Sequence, residues 1–222
     1  MERLAQYFDP AFVWEYREYL IDGLFVTLLL SALTFALAIL PGLFLALGRR
    51  FGPPWLAALL AGLVNVCRSV PTVLTVVFIY LALPFAGITL SAFASVLLSL
   101  TIMQVVYFSE VFRGGLAAVG KGQFEAAYAC GLSRIVVFRK IVLPQAALVA
   151  APAFASSLVL LVQNTSIGSA VALNDLIGGA LTVQNISGQP SPLVAAAIGY
   201  LVIILPFVRL TRRWERSMAK AI

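Results

Sequence analysis

The chain has 222 residues, 62% of them hydrophobic and only 11% charged, against about 25% charged in an ordinary soluble domain, so the composition is that of a protein solvated by lipid. Five or six crossings of ~20 residues would use most of this length and leave no room for a soluble catalytic domain. The absence of histidine excludes a Ser-His-Asp triad, an H-E-x-x-H metal helix and an imidazole proton relay, and the net charge of +6 lies on residues too dispersed to form a nucleic-acid face.

Residues 1–22 form the first expected unit, an external interfacial segment. Its acids are Glu2, Asp9, Glu15, Glu18 and Asp22, and its rings are Phe8, Phe12, Trp14, Tyr16 and Tyr19. It lacks the basic start and small-residue cleavage site of a secretory signal, and it suits a helix anchored by its rings in the outer headgroup layer. Residues 23–210 form the membrane domain. Charges interrupt it so rarely that five spans follow, at 24–47, 56–83, 88–112, 145–166 and 193–210, with Pro84 and Gly87 marking a turn between the second and third. Residues 211–222 are the tail. The predicted fold is therefore an all-α integral membrane bundle of five transmembrane helices.

An odd number of spans puts the termini on opposite sides, and the basic residues select the side. Arg3 and Arg17 precede the first span. Twelve lie in the stretches that alternate with it: Arg49 and Arg50, five from Arg113 to Lys140, and Arg209, Arg212, Arg213, Arg216 and Lys220. The N-terminus is predicted outside and the C-terminus in the cytoplasm. Cys67 and Cys130 are far apart in apolar or small-residue surroundings and read as packed residues, not as a disulfide or metal pair.

Arg68 falls about 12 residues into the second span, roughly 18 Å from its cytoplasmic end at 1.5 Å per residue and so near the midplane. Pro71 next to it removes a backbone hydrogen bond, and broken helices at mid-membrane are where transporters hold substrates. Two readings stand: a two-pronged contact to a substrate carboxylate, or a structural arginine paired with helix carbonyls or with Glu110.

The connection at 113–144 concentrates charge in a protein that otherwise avoids it. Helix formers from Gln123 to Cys130, followed by Gly131 and Ser133, predict a short helix lying along the membrane that ends at the glycine. Held between two spans, it would act as a lever that moves both together. Glu125-Ala126-Ala127, three residues, Gly131, nine residues, Ile141, one residue and Leu143-Pro144 resembles the E-A-A…G…I-x-L-P signature of permease subunits of bacterial ATP-binding-cassette (ABC) importers. Every fixed position is present at the family spacing. Glu110 to Gly115, Lys121-Gly122-Gln123, Pro144-Gln145-Ala146, Gly23-Leu24 with Thr27-Leu28, and Arg68-Ser69-Val70-Pro71 are similar to the polar amino-acid branch, which serves histidine, glutamine, glutamate, arginine and opines.

The resemblance implies a type I importer permease fold, no nucleotide site on this chain, and ATP with magnesium on two separate cytoplasmic ATPase subunits. No G-x-x-x-x-G-K-[ST] loop occurs, in keeping with that division. It also implies a second permease subunit, identical or homologous, and a periplasmic or lipid-anchored amino-acid-binding protein, in a bacterial cytoplasmic membrane. By the same resemblance the short helix is a coupling helix. Lys121, Gly122 and Gln123 open it, Glu125 is a polar contact or positioning residue, Ala126 and Ala127 form a close-packing face, and Gly131, Leu132 and Ser133 make the turn that leaves it.

In the outer half of the fourth span lies Gln163-Asn164-Thr165-Ser166. The family often has Lys-Asp-Thr-Ser there, so two charges are missing, which argues against a strongly cation-selective site in this subunit. Substrate lining and amide-mediated helix packing both fit the residues. Asp175 before Gly178-Gly179 suits the cap of a short helix, and the uncharged loop at 184–192 offers a surface to an external binding protein. The arginines of the tail fit anchoring on anionic lipid. The rival class, an ion-gradient-driven secondary transporter or channel, requires carboxylates in the membrane, and only Glu110 lies near a span. A membrane anchor without a transport path would explain neither Arg68 nor the signature.

Overall fold

The computed structural model of the protein describes residues 8–218, and every regular element among them is helical. The short α1 (Pro10–Glu15) is capped by Asp9, whose Oδ1 accepts from the N–H of Ala11 at 2.9 Å and of Phe12 at 3.3 Å. α2 (Arg17–Phe51) follows at once and runs for 35 residues, roughly 50 Å at 1.5 Å per residue. Residues 17–22, expected in a separate surface segment, are instead the first turns of the spanning helix, because neither proline nor glycine interrupts the chain before Gly23. Residues 1–7 of the expected segment lie outside the described residues.

The second span is bent, not straight. α3 (Pro54–Ser69) and α4 (Thr72–Ala82) meet at 90°. Pro71 has no N–H to continue the ladder and disfavours a helical Val70, which is extended at φ −93°, ψ 125°. A 3₁₀ turn (Leu83–Ala86) ends on Gly87 at φ +80°, and α5 (Ala92–Ala118) returns across the bundle, capped by Ser91.

After α5 come α6 (Lys121–Ala129), α7 (Arg134–Val137), a π turn (Phe138–Val142) and α8 (Leu143–Asn164), which tightens into a 3₁₀ segment (Thr165–Val171). The chain reverses at Ala172, φ 55°. α9 (Leu176–Ser187) has 12 residues, about 18 Å, too short to cross ~30 Å of hydrocarbon. It absorbs Gln184 to Ser187, so the loop expected at 184–192 shrinks to the turn around Gly188. α10 (Ser191–Met218) carries the chain back. The expected tail at 211–222 begins inside this helix, and residues 219–222 lie outside the described residues. Among the described residues four helical stretches are long and apolar enough to cross a membrane alone, and the bent α3–α4 pair reaches that length when its two halves are taken together as one broken span, which brings the count to the expected five.

α2, α5 and α8 form the centre. Phe108 and Phe154 stack at 4.7 Å between ring centroids, and Phe35 meets each edge-on at 5.8 Å. Close approach of α2 to α5 depends on Gly42, where a Cβ would sit 2.7 Å from that of Phe108. Within the bundle Gln104 Nε2 donates to Ser157 Oγ at 3.0 Å and joins α5 to α8, the kind of interhelical amide bond that stabilises membrane bundles by about 1 kcal/mol.

Candidate functional site: a short helix seated on the base of the bundle

α6 leaves α5 after only two residues, Val119 and Gly120. Phe124 and Ala127 turn inward onto Leu116, Val119, Val137, Val142 and Ala146, which fixes the helix to the ends of α5 and α8. Lys121, Gly122, Gln123, Glu125 and Ala126 face outward and are exposed. Ala126 and Ala127 therefore do not share one close-packing face as expected. Ala127 is 5% exposed and packs on the chain's own core, so Ala126 alone of the pair is free to meet another protein.

The far end of α6 is a Schellman turn. Leu132 N donates to Ala127 O at 3.2 Å and Gly131 N to Tyr128 O at 2.9 Å, with Gly131 at φ +74°. These bonds satisfy carbonyls that a helix end leaves open, and they require the left-handed conformation that glycine adopts without strain. Ser133 then caps α7, its Oγ accepting from Val136 N at 3.5 Å. Leu132 and Ser133 are exposed beside the turn.

Just above α6, Glu110 on α5 binds Arg49 at the end of α2 through Oε1 and Arg113 through Oε2, the latter at 2.8 Å to Nη2 and 3.1 Å to Nε. Glu110 is thus committed to Arg49 and Arg113, which removes it as the partner suggested for Arg68. The sequence held half of this network: Glu110 and Arg113 stand three apart on one helix, while Arg49 is 61 residues away and no local pattern points to it.

Arg68 lies on the last turn of α3, beside the break, exposed and without an ion pair among the described residues. Gln163 is exposed and Asn164 half-buried, and neither side-chain amide has a hydrogen-bond partner among the described residues. Thr165 is buried, its Oγ1 donating to Val162 O at 2.8 Å, and Ser166 Oγ donates to Gln163 O at 2.7 Å. No hydrogen bond or ion pair joins Arg68 to the other group. Both sets border surface that this chain does not itself cover.

At the opposite end from α6, Asp175 caps α9 as its sequence suggests, Oδ1 accepting from Gly178 N at 2.8 Å. Its full burial was not legible. α2 comes so close here that a Cβ on Gly23 would lie 2.5 Å from the Asp175 carbonyl oxygen, and Thr27 Oγ1 accepts from Leu176 N at 3.1 Å.

A family model described as a binding-protein-dependent transport system inner membrane component matches residues 22–220. The chain is 34% identical over 212 residues to a probable glutamine ABC transporter permease protein of Bacillus subtilis (strain 168), covering 94% of this chain and 97% of that one. It is 31% identical over 210 residues to an octopine transport system permease protein of Rhizobium meliloti, covering 90% and 85%. Among solved structures, an amino acid ABC transporter crystallised with histidines is similar with a TM-score of 0.87 and 28% identity, over 94% of this chain and 98% of that one.

Proposed function

The chain belongs to the family of binding-protein-dependent transport system inner membrane components and has the ABC importer permease fold, and we propose that it passes a polar amino acid into the cell using ATP hydrolysed on separate subunits. The observation that carries this is the seat of α6. Its inner face is locked to α5 and α8, and its outer face presents Lys121, Gly122, Gln123, Glu125 and Ala126 to solvent. A force applied to that face by an ATPase moves both helices at once, since a two-residue link and a hydrogen-bonded turn absorb little of it.

Two cytoplasmic ATPases, a second permease subunit and an amino-acid-binding protein complete the assembly. Arg68, Gln163 and Asn164 border open surface that a second permease subunit would turn into a passage, with Thr165 and Ser166 shaping its outer part. Arg68 suits a substrate carboxylate, and the neutral Asn164 suits a zwitterion with a polar side chain better than a cationic one. Glutamine and octopine in the names of the relatives and the amino acid transporter structure support this class of cargo. An ion-gradient mechanism needs a membrane carboxylate free to take up an ion; Glu110 is held by two arginines, and the buried Asp175 is engaged through Oδ1 as the cap of α9.

The test is ATPase activity of the complete transporter in liposomes, with its binding protein loaded in turn with glutamine, glutamate, histidine, arginine and octopine. Stimulation by at least one of these is expected. Transport that persists without ATP and follows an imposed ion gradient would overturn the reading.

A further inference from the structure

Two grooves in the outer surface lie side by side at the base of the bundle. The first, about 310 Å³, lies between α2, α5 and α8 and is floored by Leu43, Leu116, Ala147 and Ala151 with no charged group. The second, about 630 Å³, lies between the end of α2, α6 and α7, with Phe51, Phe124, Tyr128 and Ile135 beside Arg134 and Arg139. Leu47 and Phe138 line both, so the two adjoin. No acidic residue lines either one. Arg134 and Arg139 are exposed and form no ion pair among the described residues. Arg50 adds a third cation over the rim, its guanidinium 5.6 Å from the ring of Phe51, which meets Phe138 edge-on at 6.0 Å.

From this order, apolar in the membrane and cationic at its edge, we infer that the composite groove is a binding site for one anionic glycerophospholipid. The acyl chain lies along Leu43, Ala147 and Ala151, where alanines keep the floor low. The phosphate lies in the basin of Arg134 and Arg139. A soluble ATPase does not fill the membrane-embedded half, and a second permease copy would need an acidic side chain to satisfy the two guanidinium groups. Basic pockets between spans on the cytoplasmic side are the common place for anionic headgroups. The site ties lipid composition to the lever, because Phe124 and Tyr128 of α6 form one wall of it. It rests on the reading that α6 faces the cytoplasmic leaflet.

The experiment uses the complete transporter, delipidated in detergent and titrated with phosphatidylglycerol or phosphatidylcholine, with bound lipid counted by native mass spectrometry. Preferential retention of phosphatidylglycerol is expected. Arg134→Gln with Arg139→Gln should weaken it about 30-fold, at roughly fivefold for each basic residue. Ala147→Phe, which fills the acyl groove and leaves the arginines in place, should displace the lipid as well. Arg209→Gln with Arg213→Gln, outside the groove, should not. Equal retention in wild type and the Arg134/Arg139 variant would overturn the proposal, as would a photo-crosslinker at position 147 that captures the second permease subunit in place of phospholipid. Binding in detergent does not depend on which way the chain is inserted. A reporter fused at Gly188 reads that orientation alone and separates its failure from failure of the lipid site.

Discussion

Where α9 begins, Asp175 is buried with Oδ1 bonded to Gly178 N and with no partner for Oδ2 among the described residues. Burial raises its pKa from an ordinary 3.8 to about 6, outweighing the backbone N–H groups that lower it. The fold therefore prefers the protonated acid. Its stabilising contribution is complete below pH 4 and is lost as the pH rises through about 6, a difference of about 3 kcal/mol. An asparagine in its place would keep the cap without the charge, so Asp175→Asn should gain thermal stability over wild type at pH 8 and lose that advantage at pH 4. Parallel melting curves of the two detergent-purified transporters at both values would refute this. Glu110 has the opposite problem, being needed as a charge. Glu110→Gln leaves the Arg49 side chain, only 12% exposed, without a counter-charge and should cost about 2 kcal/mol. Arg113→Gln should cost under about 1 kcal/mol, since Arg113 is 43% exposed and screened by solvent. Thermal unfolding of both variants checks the ranking, and a larger loss in Arg113→Gln would reverse the assignment.

The elements differ in how much of them could be read in advance. The five crossings follow from uncharged runs, and the short helix at 121–129 follows from helix formers closed by Gly131. In contrast, α2 begins six residues before the expected surface boundary, because Glu18 and Asp22 read as part of a separate interfacial helix although they lie on the same continuous helix as the span. Pro71 announced a break in the second span without giving its angle, which packing against α5 decides. On α6, nine residues make only two and a half turns, too few for hydrophobic periodicity to tell Ala126 from Ala127. Long-range pairs such as Arg49 with Glu110 leave no local trace at all. The turn at Gly131 offers a direct test of the lever. A Cβ there meets nothing within 4 Å, so within this chain the cost of a side chain is confined to the left-handed backbone, about 1–2 kcal/mol for alanine. Gly131→Asn, which tolerates that conformation, should keep most ATP-driven uptake. Gly131→Val should abolish it while membrane insertion continues. Loss of uptake in Gly131→Asn as severe as in Gly131→Val would show that the space is filled by a partner and that backbone conformation is not the limiting factor.

The whole molecule has two chemically different ends. At one, Asp9 N donates to Ser191 Oγ at 3.0 Å, and the starts of α2 and α9 meet at Gly23 and Asp175. At the other, Arg49 and Arg113 share Glu110, and α6 packs across the ends of α5 and α8. With five crossings α10 finishes at this second end, so its Arg209, Arg212, Arg213 and Arg216 join the seven basic residues of the two connections, eleven of the fifteen in the chain. Basic residues in short connections resist translocation, and the orientation we propose from them has this end in the cytoplasm and the Gly188 turn outside. A periplasmically active phosphatase fused after Gly188 should be active, and one fused after Ala129 should be silent. Replacing Arg49 and Arg50 with glutamine should leave that pattern unchanged, because nine basic residues still hold the same side. Activity from the Ala129 fusion would invert the molecule, remove α6 from the reach of any cytoplasmic ATPase, and with it the route by which ATP drives transport.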